Sequence, residues 1–321
     1  MRRFRRRWLC FHSGSLLALA AFCAGSGEEL RARFDYDASA ALDSKETLLL
    51  EKRGLKVFDL SYASPRGGRV SGFLVLPSGR GPFAAIVFGH WGPGNRTEFL
   101  PEAQIYAQAG AASVMIDYPW VRPAPHRRNI NNIKEPQKDL EILTQAVIDL
   151  RRAIDLLVVR PGVDPERIGY IGHSWGAQWG AILSAVEDRI TAAVLIGGIP
   201  DQDSIYLEND DPDLVSARAE LGLKTIQNYC RVLAPLAAAR YVPHAAPTPL
   251  LFQFARFERY FSESAMKRYY AAASEPKSVR WYDTGHDLND PQVLADRAAW
   301  IAKQLKMRSP AGILRRRAWR Q

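Results

Sequence analysis

Cysteine is scarce in this chain, with Cys10, Cys23 and Cys230 the three instances in 321 residues. Two of them fall within the first 27 residues, so the rest of the chain can close no internal disulfide, and a small domain packed by disulfides is excluded. Cys230 reads as a small buried apolar residue. Long apolar runs are missing as well: the stretch 16–24 is about half of the roughly 20 residues a bilayer-spanning helix needs. A polytopic membrane protein is therefore excluded. No repeat at a period of 20–50 residues is visible, and low complexity is confined to arginine-rich ends. What remains is ordinary globular material: 47% hydrophobic and 24% charged residues, with 23 Gly and 20 Pro, which excludes collagen and wholesale disorder. The length allows one large domain or two small ones.

The body of the chain also lacks positive charge. The formal net charge is +9, but residues 1–27 carry five Arg and no acid, and residues 303–321 carry two Lys and five Arg and no acid. The stretch 28–302 is left at −3. A slightly acidic domain has no electrostatic footprint for tracking a phosphate backbone, so nucleic acid is not an expected partner. The N-terminal order of arginines, apolar core and small residues near Ala24 reads as a cleaved signal peptide over 1–27. That places the mature protein in a secreted or periplasmic compartment without stable membrane insertion. The segment 303–321 reads as a flexible basic tail.

Between these ends the hydrophobic period alternates. Short β-branched and aromatic runs at 55–62, 70–76, 83–89, 112–118, 167–172, 190–197, 249–254 and 278–283 predict eight strands. Apolar spacings of three and four predict helices over 101–110, 136–159, 176–186, 262–274 and 291–305. A leading hairpin followed by alternating strand and helix predicts an α/β fold, a mostly parallel sheet with helices on both faces, spanning 28–302. Two stretches exceed ordinary loop length, 119–135 and 199–248. The second, between strands six and seven, carries a helical pattern over 212–239 and reads as a lid-like insertion over a site.

Chemistry concentrates at Gly172-His173-Ser174-Trp175-Gly176. The motif directly follows the apolar run RIGYIG and directly precedes AQWGAILSAV, as a strand, sharp turn and helix require. Such a turn thrusts the serine hydroxyl out at the carboxyl edge of the sheet, and its glycines let strand and helix approach. A neutral hydroxyl needs a base. Of six histidines, His12 lies in the leader, His173 adjoins the serine, His126 and His244 sit in loops, and His90 closes the third strand. His286 follows the last strand in TGHD and is the candidate general base.

The carboxylate that orients the base should stand after a strand between the two. Glu258, just beyond PLLFQFA, is the first candidate; Asp201 or Asp203 after the sixth strand and Glu263 are the alternatives. Backbone N–H donors for an oxyanion are expected from Trp175 and from the loop after the third strand, Gly89-His90-Trp91-Gly92-Pro93-Gly94. Gly92 is the first choice there and Trp91 the alternative, since Pro93 has no N–H. His90 is expected to fix this loop by hydrogen bonds.

Over roughly 55–305 these motifs resemble the α/β-hydrolase superfamily, and within it the branch of dienelactone-hydrolase-like and acyl-peptidase-like serine esterases. The likeness rests on VFGHWGPG, DPERIGYIGHSWGAQWG, PLLFQFARFERYFS and WYDTGHDLND. Two departures stand out: the acid position reads Glu258 where the pattern has Asp, and Ser174 stands where dienelactone hydrolases have a cysteine. The resemblance implies a serine hydrolase of small-molecule carboxylic esters, acting through an acyl-enzyme with Ser174, His286 and Glu258 and needing no metal or organic cofactor. A peptidase or amidase with the same triad is the first rival, and a non-catalytic binding protein on this fold the second. Trp91, Trp120 and Trp175 all fall at expected strand ends, which suggests an aromatic pocket.

Overall fold

The computed structural model describes residues 27–52, 54–130 and 133–318; the first 26 residues of the expected signal segment lie outside them. The strands are β1 (Lys45–Lys52), β2 (Leu55–Ala63), β3 (Arg69–Pro77), β4 (Phe83–Gly89), β5 (Ala111–Ile116), β6 (Val163–His173), β7 (Ile190–Ile196), β8 (Leu250–Phe257) and β9 (Lys277–Gly285). They form one sheet in the order β1-β2-β3-β5-β4-β6-β7-β8-β9. Pairing is antiparallel from β1 to β5 across β2 and β3, and parallel from β5 onward.

The expected eight strands become nine. The extra one, β1, sits at the sheet's edge with nearly every residue exposed. Its sequence KETLLLEK has neither a buried face nor the alternation that a buried face imposes, so periodicity could not reveal it.

Five helices cover the sheet as expected: α2 (Leu100–Ala109), α3 (Pro136–Val158), α4 (Trp175–Val186), α8 (Glu263–Ala272) and α9 (Pro291–Gln304), while α1 (Gly27–Ala32) precedes the strands. In α3, Pro136 stands at the start, where its missing N–H has no intrahelical partner to lose. Ile142, Ala146, Leu150, Ala153 and Leu157 then recur at helical spacing, all buried. Strand β4 alternates inside a sheet covered on both faces. Ala85 and Val87 join the cluster under α3 and α4, and Ala84, Ile86 and Phe88 the cluster under α2 and α9. Each such large aliphatic or aromatic side chain contributes about 1.5–3 kcal/mol when fully buried.

The insertion after β7 holds α5 (Gln202–Tyr206), α6 (Pro212–Leu221), α7 (Leu223–Leu233) and three short 3-10 turns up to His244. The single helical pattern expected over 212–239 is thus broken. Gly222 adopts φ 80°, a left-handed conformation that ends α6 and starts α7. The basic tail differs from expectation too: it contains a helix, α10 (Ala311–Ala318), and Leu314 packs against the cluster under α2 and α9.

Candidate active site

In the strand order, β4 leads outward to β5 on one side and β6 leads to β7 on the other. The chain therefore departs in opposite directions from two adjacent strands, and a crevice opens at their carboxyl ends. The loop 90–94 leaves β4 there, and the turn carrying Ser174 leaves β6.

Ser174 has φ 55° and ψ −112°, in the positive-φ region that side chains rarely adopt. Its N–H donates to the Ile196 carbonyl at 2.8 Å, and its carbonyl accepts from the Gln178 N–H at 3.0 Å. Strand and helix cross closely enough that a Cβ at Gly176 would collide with the Gly89 carbonyl, and one at Gly172 with the Gly176 carbonyl. Glycine is what permits the turn.

The structure brings three of the expected residues together. His286 Nε2 lies 2.9 Å from Ser174 Oγ, and His286 Nδ1 lies 2.7 Å from Glu258 Oε2. The second carboxylate oxygen accepts the Tyr260 N–H at 2.9 Å. With Nδ1–H donating to the carboxylate, Nε2 is left with a lone pair toward the serine hydroxyl. The side chains of His286 and Glu258 are 7% and 2% exposed, so water does little to screen their attraction. Tyr260 meets the imidazole edge-on, with ring centroids 4.7 Å apart.

The alternative acids are placed elsewhere. Asp201 caps α5 by accepting the Ser204 N–H at 2.8 Å, and Glu263 pairs with Lys267 at 2.6 Å. Asp203 interacts with Cys230, whose thiol is pushed up to about 12 by burial and by the carboxylates of Asp203 and Asp201. The thiol stays protonated, in keeping with a structural cysteine.

Comparison with known proteins matches this arrangement of sheet and crevice to solved structures. An acetyl xylan esterase from a Paenibacillus species superposes with a TM-score of 0.70 at 20% identity, over 86% of this chain and 92% of that one. Acetyl xylan esterase 1 from a Thermoanaerobacterium species gives 0.71 at 16% identity, over 88% and 94%. This chain has the α/β-hydrolase fold. No protein-family model matches it. Among curated sequences it is similar to acyl-coenzyme A thioesterase 3 of Mus musculus, 25% identical over 70% of this chain and 52% of that protein. It is also similar to esterase FrsA of Klebsiella pneumoniae, 24% identical over 60% and 43%. The matches span about half the length of these curated relatives.

Above the α/β-hydrolase crevice lies a cavity of about 590 Å³ with Ser174 and His286 in its wall. Trp91, Gly92, Trp120 and Trp175 line one side, and Ile205 and Leu214 of the insertion close another. The long loop after β5 thus reaches the site through Trp120, whose Nε1–H donates to the Gly92 carbonyl at 2.7 Å and whose ring meets Trp175 at 72°. The insertion is tied down by Asn209, which donates to the Arg259 carbonyl at 2.7 Å next to Glu258.

His90 holds the loop as expected. Its Nε2 accepts the Tyr118 N–H at 3.3 Å, so its Nδ1–H donates to the Trp91 carbonyl at 2.6 Å. Burial pulls this imidazole down to about 4, so it stays neutral and outside proton transfer. The Trp91 N–H is taken by Glu98 Oε2, at 2.8 Å. Glu98 is a residue that sequence reasoning missed. Its other oxygen lies 2.8 Å from His173 Nδ1, and His173 Nε2 lies 3.0 Å from the His286 carbonyl. No spacing in the sequence signals this bridge, because it exists only where the loops from β4, β6 and β9 converge.

Proposed function

We propose that the protein is a serine hydrolase of carboxylic esters working through an acyl-enzyme. Ser174 Oγ attacks the ester carbonyl while His286 Nε2 takes its proton. The tetrahedral oxyanion is met by the N–H groups of Trp175 and Gly92. The imidazolium, steadied by Glu258, then gives the proton to the departing alkoxide, and the C–O bond breaks. Water repeats the sequence on the acyl-enzyme, with His286 again the base, and the acid product leaves. Gly92 is preferred to Trp91 as second donor because the Trp91 N–H is already engaged by Glu98.

The observation that carries this reading is the hydrogen-bonded series from Ser174 through His286 to Glu258 at the wall of a cavity. The names of esterase FrsA and the acetyl xylan esterases support ester cleavage generally. Purified protein is expected to release p-nitrophenol from acyl esters and to be labelled by a fluorophosphonate. Unimpaired turnover by Ser174→Ala overturns the reading, and aminoacyl naphthylamides cleaved faster than esters replace it with the amidase alternative. Export to a secreted or periplasmic compartment belongs to the same proposal; intact-mass analysis of the cell-fractionated protein tests it.

A further inference from the structure

The cavity's walls narrow the substrate. Trp91, Trp120, Trp175 and Tyr260 supply aromatic surface, and Ile199 and Leu214 aliphatic surface. Among the described residues, no lysine, arginine or carboxylate lines it. Its volume, about 590 Å³, is in the range that takes a drug-sized ligand rather than an acetyl group alone. The segment 201–213 beside it holds six acids and no base. Nearby arginines are engaged: Arg218 donates to the Tyr206 and Asn209 carbonyls, Arg259 pairs with Asp211 and Asp213, and on the loop that carries Trp120 and Ile130, Arg122 pairs with Asp149, Arg127 donates to the Arg122 carbonyl and Arg128 to Gln145. A polyanionic leaving group needs fixed cations to replace its water; the cavity wall offers none, and the acids of 201–213 oppose it on that side.

We propose that the substrate is an uncharged ester with a bulky apolar or aromatic group, and that coenzyme A thioesters are disfavoured, unlike what the names of several curated relatives indicate for those proteins. This rests on the ester-hydrolase reading above. The test offers one phenylacyl group on two thiols, N-acetylcysteamine and coenzyme A, so that the bond cleaved is the same and the charge differs. A p-nitrophenyl ester series from acetyl to phenylbutyryl runs alongside, with fluorophosphonate labelling as control. Expected are a kcat/KM at least about tenfold higher for the uncharged thioester, and a rise from acetyl to phenylbutyryl that Trp120→Ala flattens. Labelled enzyme that prefers coenzyme A, or acetyl, overturns this proposal alone; absence of labelling and of all turnover overturns the hydrolase reading itself.

The bridge through Glu98 carries a second, independent inference. His173 Nε2 faces a backbone carbonyl, which can only accept, so that nitrogen carries a proton. Nδ1 faces a carboxylate oxygen, which also accepts when ionised. The His173 and His286 rings are 5.3 Å apart. The same carboxylate holds the Trp91 N–H, and the same imidazole holds the backbone of His286.

The geometry points to Glu98 and His173 as positioning residues that lock the oxyanion loop to the base loop. Glu98→Gln discriminates, because its amide can donate to His173 Nδ1 while its carbonyl accepts from Trp91, reproducing both bonds. Glu98→Ala is expected to lose about tenfold in kcat with KM little changed, and Glu98→Gln to recover most of that loss. A Glu98→Ala variant that is folded and fully active overturns the proposal, as does a Glu98→Gln variant no more active than Glu98→Ala.

Discussion

Glu258 has both carboxylate oxygens engaged, one on His286 Nδ1 and one on the Tyr260 N–H. Its longer side chain, compared with the usual Asp, is accommodated because it emerges just after β8 ends and turns back toward the imidazole. In the proposed reaction its charge stabilises the imidazolium that forms as Ser174 attacks. Glu258→Gln keeps the shape and removes the charge, so kcat for ester hydrolysis is expected to fall by roughly 10²–10⁴-fold with KM changed little. Glu258→Asp should fall between, since the carboxylate remains but recedes by one methylene. Gln and Asp variants as active as wild type would assign the acid elsewhere. That Ser174 and His286 meet was legible because motif context and chain order restrict both strongly, and that Glu258 joins them because it follows a strand. Glu98 was not legible: it lies four residues beyond the glycine loop, and its partners come from β6 and from that loop only after folding.

The crossing of β4 by the start of α4 is where an element depends most on glycine. A Cβ at Gly176 meets the Gly89 backbone, and backbone has no rotamer by which to withdraw. One at Gly92 would stand 3.5 Å from the Trp175 ring, an ordinary van der Waals distance. Gly176→Ala is therefore expected to lose about 3 kcal/mol or more of unfolding free energy through overpacking, and Gly92→Ala to stay within about 0.5 kcal/mol of wild type. Urea unfolding curves of the two variants, if they shared one midpoint, would show that the crossing is not close-packed. The same dependence made the elbow readable in advance, since a strand ending in Gly-x-Ser-x-Gly has few other folds open to it. Elements governed by burial were readable too. Those without it were not: exposed β1 leaves no alternation, and the α6–α7 break rests on one residue, Gly222, with φ 80°.

For the molecule as a whole, the two-faced sheet and its crevice follow from apolar runs that need cover on both sides, and the basic charge that dominates the composition lies outside this body. One buried group still couples the fold to pH. His90 sits between the Tyr118 N–H and the Trp91 carbonyl, with its imidazole pulled from 6.5 to about 4 by burial. The unfolded chain binds a proton at this residue as pH falls through 6.5, whereas the folded chain refuses it until about 4. More protons in the unfolded state mean that stability rises with pH across this window and is lost on acidification, by up to roughly 3 kcal/mol from this residue. Carboxylates titrate nearby, so the contribution must be isolated by difference. His90→Asn keeps one donor and one acceptor without a titrating ring, and its unfolding free energy should decline less steeply between pH 6.5 and 4 than that of wild type. Parallel curves would mean that His90 takes up its proton in the folded state, and that the loop bearing Gly92 is open to water.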